Sequence, residues 1–101
     1  MNAGDTDAGP VQYKLRLFVT GTTPRSTRAI ENMKQICEEN LEGRYDLEVI
    51  DVYANPEATK ELQIIATPTL VKILPEPLRR IIGDLSDREK VLAGLNVLPL
   101  R

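Results

Sequence analysis

Ala66-Thr67-Pro68-Thr69-Leu70 stands directly ahead of the apolar run Thr69 to Leu74, and its proline sets the frame for the whole chain. A proline at the mouth of a strand can hold a cis peptide bond, which is otherwise rare in folded chains. The alternative is an ordinary trans turn proline, and the choice depends on the elements to either side. Downstream, Pro75-Glu76-Pro77 forms a stiff turn after Leu74, and Arg79 to Ile82 reads as a further short strand. Residues 69 to 82 are too few for a helical crossover, so these two strands pair antiparallel. Upstream, Asn55-Pro56-Glu57 gives cap, proline and acid in order, which opens a short helix from Pro56 to about Leu62. Before it, the β-branched run Leu47 to Val52 fits a buried strand.

The first strand is Tyr13 to Val19, where Leu15, Leu17 and Val19 alternate with Lys14 and Arg16. Gly21-Thr22-Thr23-Pro24 ends it. Thr23 is a natural N-cap, with Pro24 at the first helical position, where a missing N–H costs nothing. The helix runs to about Asn40 on a stripe of Ala29, Ile30, Met33, Ile36, Cys37 and Leu41, and Gly43 stops it. Near the end of the chain Ser86-Asp87-Arg88-Glu89 reads as a capping box with Ser86 at the cap. The helix it opens turns Val91, Leu92 and Leu95 inward, and Gly94 weakens its last turn.

The order is βαβαββα. A helix between the first two strands makes them parallel with a right-handed crossover. This is the thioredoxin-like arrangement, α/β with a mixed four-stranded sheet. In that frame the cis form of Pro68 is the expectation. Residues 1–12 are small and polar and read as a disordered leader, leaving 13–101 as a single domain.

Composition narrows the chemistry. The 101 residues include no His, so Ser-His and Cys-His nucleophile pairs and histidine metal ligands are excluded. The lone Cys37 excludes an internal disulfide, a CxxC pair and a cysteine metal cluster. A net charge of -2 gives no general reason to expect nucleic acid, and Asp5 and Asp7 account for it, so the remaining residues are neutral in sum. No apolar run is long enough to cross a membrane, and no apolar stretch follows Met1. A cytoplasmic, non-catalytic interaction module without cofactor or metal is the expectation.

Several stretches carry a more specific resemblance. They are Leu17 to Pro24 (LFVTGTTP), Val49-Ile50-Asp51-Val52, Asn55-Pro56, Ala66 to Leu70 (ATPTL) and the block from Arg79 to Leu92, RRIIGDLSDREKVL. Together they resemble the KaiB family over about residues 13 to 98. The resemblance implies a clock or timing protein that binds the ring ATPase KaiC through its N-terminal ring and modulates KaiC phosphorylation and signalling. It also implies KaiA as a protein to be sequestered and a thioredoxin-like histidine kinase as a competitor. Two folds are implied, a resting tetramer and a thioredoxin-like monomer that docks. Where relatives commonly read VLIGLDLLY, this chain has Val91 to Pro99 (VLAGLNVLP), so Ala93, Asn96 and Pro99 replace a large aliphatic, an acid and a tyrosine. Pro99 removes a backbone donor and Ala93 favours helix over strand. Together with Pro68 and Gly94, these residues make the thioredoxin-like form the expected one. Ala54 stands where relatives usually carry Lys, and the usual acidic tail is absent from the sequence.

By the same resemblance Arg28, Lys72, Arg79 and Arg80 match basic positions and imply docking to an acidic face. Alternation places Lys72 outward, and the alternative for all four is that they only solvate the surface. Cys37, on the apolar stripe, reads as an inert core thiol. Asp84, Asp87 and Glu89 read as capping rather than acid–base groups. The loop Gly21 to Pro24 offers Thr22 and Thr23 and no thiol where a redox protein of this topology keeps its cysteines. A degenerate thioredoxin-like redox or stress protein acting without KaiC is therefore the second reading.

Overall fold

The computed structural model describes residues 12–96, and the expectations for residues 1–11 and for Pro99 lie outside that span. β1 (Tyr13–Val19), α1 (Pro24–Asn40), β2 (Tyr45–Asp51), α2 (Pro56–Glu61), β3 (Thr69–Leu74), β4 (Arg79–Ile82) and α3 (Arg88–Leu95) follow in the expected order. The sheet runs β2-β1-β3-β4. β1 pairs parallel with β2, Leu15 opposite Leu47 and Leu17 opposite Val49. β3 lies antiparallel to β1, and β4 antiparallel to β3. The Thr67–Pro68 bond is cis, as are Leu74–Pro75 and Glu76–Pro77. This is the thioredoxin-like α/β arrangement with a mixed four-stranded sheet.

Period-two alternation divides the sheet into two faces. Leu15, Leu17 and Val19 of β1 and Leu70 of β3 pack against Ala29, Met33, Ile36 and Cys37 of α1 and Val91 and Leu95 of α3. On the other face Phe18, Ile50 and Val71 form a smaller cluster under Ala58 and Leu62 at α2. Leu15, Leu17, Met33, Leu41, Leu70 and Leu95 are each fully buried. Each contributes roughly 1.5–3 kcal/mol by leaving water. α1 begins as its sequence dictates: Thr23 Oγ1 accepts from the Ser26 amide at 3.3 Å, with Pro24 next. Gly43, at φ +74, supplies the left-handed residue that lets the chain leave the helix.

Two local expectations are corrected. β2 is not a buried strand: it lies at the sheet edge, and Ile50 is its one buried residue. A β-branched run marks a strand but does not say on how many sides that strand is covered. The cap of α3 is Asp87, one residue later than Ser86, with Asp87 Oδ1 accepting from the Lys90 amide at 3.1 Å. Ser86 instead donates its amide to Asp84 Oδ1 at 3.1 Å, closing a tight turn one step earlier. Asn55 takes the N-cap place of α2 as expected, with Pro56 and Glu57 after it; its side chain makes no cap bond, and its Nδ2 donates to the Asp51 carbonyl at 3.1 Å.

The end of α3 explains two of the residues singled out in the sequence. A Cβ on Gly94 would sit 2.8 Å from Ile81 Cδ1, so the glycine lets α3 lie close on β4. Asn96 caps the helix in the left-handed region at φ 59, a conformation that Asn adopts more readily than most residues. Ala93 lies within the helix.

Candidate functional site

The end of the sheet where a redox protein of this topology would do its chemistry is built here from hydroxyls. Ser26, buried in the first turn of α1, accepts the Thr20 amide at 3.1 Å. The hydroxyls of Thr20 and Thr67 meet across the gap between the loop after β1 and the loop carrying Pro68. Gly83 closes the same region, its amide donating to the Pro68 carbonyl at 3.0 Å. These bonds join the two loops through hydroxyls and backbone, with no thiol among them. The thiol of Cys37 lies elsewhere, buried in the core against α1's neighbours. Burial, aided by the nearby Glu38 charge, pushes its pKa up to about 12, so it stays protonated at neutral pH.

The four basic residues do not form one patch. β3–β4 register places Arg79 opposite Lys72 and Arg80 opposite Val71. Arg79 therefore shares the α1 and α3 face with Leu70, while Arg80 shares the α2 face with Val71 and Phe18. Both arginines are exposed, and β4 is an edge strand, so a partner gripping that edge reaches both. Arg80 is held in place by bonds from Nε and Nη2 to the Leu62 carbonyl at 3.3 and 3.0 Å. Arg28 is exposed as expected, and its Nε lies 3.4 Å from Asp84 Oδ2. Asn32, one turn on, donates to the Asp84 main-chain carbonyl at 2.8 Å, so α1 grips the turn before α3 at two points. The Ser86 bonds together with Arg28 hold the Asp84 carboxyl below the usual carboxylate range.

Lys72 overturns its expectation. It is not on an outward surface: only 1% of the residue is exposed. Its ammonium donates to the Pro75 carbonyl at 2.8 Å. Alternation puts Lys72 on the face shared with Leu70, and that face is packed in the core and does not point outward. Burial, and secondarily the Arg79 charge, lowers its pKa from the ordinary amine value.

One surface was not singled out in the sequence. Tyr53 is 79% exposed and Ile65 92% exposed, and both line a shallow groove of about 750 Å³ with Val52, Pro56 and Ile64. Lys60 is the one charged residue of this lining. Ile64 of this lining packs on the same Phe18, Ile50 and Val71 cluster as Leu62, whose carbonyl holds the Arg80 guanidinium. The sequence signal was present: Tyr53 and the pair Ile64-Ile65 are large apolar residues outside every helix and strand. Large exposed apolar groups gathered in a shallow groove mark a surface for protein contact more than for a small substrate. Among the described residues no group of three or more His, Cys, Asp or Glu could hold a metal ion, and no helix is long and apolar enough to cross a membrane.

Comparison with known proteins follows the same lines. The KaiB domain family matches residues 16–97. The circadian clock oscillator protein KaiB of Microcystis aeruginosa is 58% identical over 86 residues, covering 85% of this chain and 83% of that protein. The KaiB of Synechococcus elongatus is also 58% identical over 86 residues, 85% of this chain and 84% of its own. Among solved structures, the N-terminal domain of Synechococcus elongatus SasA superimposes with a TM-score of 0.72 at 27% identity, covering 95% of this chain and 94% of the domain. Chloroplastic thioredoxin z superimposes at 0.68 and 23% identity over 84% of this chain and 79% of its own, a likeness of fold. With a thioredoxin-like sheet, a redox loop rebuilt from threonines and this degree of identity to clock proteins, the chain belongs to the KaiB family.

Proposed function

We propose that this chain is a non-catalytic timing protein that docks, in its thioredoxin-like form and as a monomer, on the N-terminal ATPase ring of KaiC. Docking modulates KaiC phosphorylation and signalling, and sequesters KaiA where KaiA is present. A thioredoxin-like histidine kinase competes for the same ring. The observation that carries the reading is that a KaiB-family chain holds the same fold as the SasA domain over its described length. The β4 edge with Arg79 and Arg80, and the apolar groove of Tyr53 and Ile65, supply a surface suited to a protein partner.

The test is a mixing assay with purified KaiC, recording complex mass with and without ATP. A rise in mass by whole multiples of this chain supports the proposal. KaiC running at its own mass under both conditions overturns it. Turnover in a disulfide-reduction assay by the purified chain would instead favour a redox protein, a reading that the buried, protonated Cys37 leaves without a nucleophile.

A further inference from the structure

Lys72 carries a cation into the interior, and the structure shows what holds it. Its side chain lies on the α1 and α3 face, between Leu15 of β1 and Arg79 of β4 in the sheet register. A buried charge is costly unless a hydrogen bond compensates it. The compensating group is the Pro75 carbonyl, 2.8 Å from Nζ. That carbonyl opens the turn Pro75-Glu76-Pro77, in which two of three residues lack the N–H that would normally pin a turn. The lysine supplies a donor where the turn's own backbone cannot.

We infer that Lys72 is a positioning residue and not a contact: its ammonium pins the Pro75 carbonyl and thereby fixes the turn that delivers Arg79 to the exposed edge of the sheet. Only the last step, the use of Arg79 by a partner, rests on the docking reading above. The pinning of the turn stands on the geometry alone.

Two measurements test this, one on the free protein and one on the complex. In the free protein, nitrogen-detected NMR of lysine ammonium groups should show one slowly exchanging Nζ resonance assigned to Lys72. The variant K72M, which keeps the aliphatic stem, should move the amides of residues 74, 76, 78 and 79 and leave those of β2 in place. With KaiC, K72M should weaken binding about tenfold, the cost of ordering the turn and the Arg79 side chain only on contact. That loss should vanish in an R79A background and persist in full in an R80A background. A rapidly exchanging Lys72 ammonium with unmoved hairpin amides overturns the inference. So does a K72M effect that simply adds to that of R79A, the behaviour of two independent contacts. If the parent chain fails to bind KaiC, the docking reading falls, and the free-protein measurements still decide the pinning. If K72M fails to fold, the Nζ exchange rate in the parent decides it.

Discussion

Cys37 and Asp87 each make a prediction at the level of a single side chain. The thiol of Cys37 is neutral in the core, with its pKa pushed to about 12 from an ordinary value of 9.0. Its folded pKa lies above its unfolded one, so the unfolded chain loses this proton first. Stability is then complete below pH 9 and falls as the pH rises from there toward 12. Tyr45, also shifted upward, chiefly by burial, works in the same direction, whereas Lys72, shifted downward, works against it. The variant C37A removes the thiol contribution alone. Urea denaturation at pH 7 and pH 10 should show a smaller alkaline loss for C37A than for the parent, and an equal loss would refute the assignment. The cap of α3 gives a second contrast between neighbours. D87A should cost about 1 kcal/mol and S86A a few tenths, because only Asp87 accepts from the first turn. Thermal unfolding of the two variants decides which residue caps. Both Ser and Asp are good caps, so their order along the chain could not distinguish them, and the bond did.

Among the elements, the punctuated ones were legible and the covered ones were not. Thr23-Pro24 fixed the start of α1, Asn55-Pro56 that of α2, and the Pro75–Pro77 turn separated β3 from β4, because proline and its preceding residue have few conformations to choose from. The candidate site was legible only in part. Arg79 and Arg80 are exposed as expected, yet adjacent residues on a strand point to opposite faces, so a basic pair in sequence is not a basic patch in space. Lys72 was misplaced because coverage of a face depends on elements far along the chain, and β2 for the same reason. The contact of α3 with β4 at Gly94 carries the prediction at this scale. Alanine gains about 1 kcal/mol over glycine within a helix. In this chain the new methyl meets Ile81 Cδ1 at 2.8 Å, and Ile81 must give way at its tip. The variant I81V removes that atom, so G94A should stabilise the protein more in the I81V background than in the parent. A double-mutant cycle measures the difference, and strict additivity would show that α3 does not lie on Ile81.

For the molecule as a whole, charge governs how partners arrive. Arg79 and Arg80 flank one open edge of the sheet, one from each face, and neither is matched by an acid within salt-bridge distance among the described residues. Charge reversal at either residue should slow association with KaiC most at low salt and progressively less as salt is added, since exposed charges are screened beyond about 10 Å at 0.1 M. Association rates by stopped flow across a salt series read this directly, and an unchanged rate for both R79E and R80E would remove the edge from the docking surface. The opposite edge has the opposite sign: Asp46 and Glu48 lie along β2, and among the described residues only Glu48 is in an ion pair, with Arg16. A sheet with two uncovered rims invites its own copies to add on as further strands. Two like rims repel, acid against acid or base against base, whereas the basic rim of one copy and the acidic rim of another attract. The same charges therefore set the polarity of any self-association: symmetric edge-to-edge pairing is disfavoured, and the head-to-tail pairing of unlike rims is the one that added salt weakens.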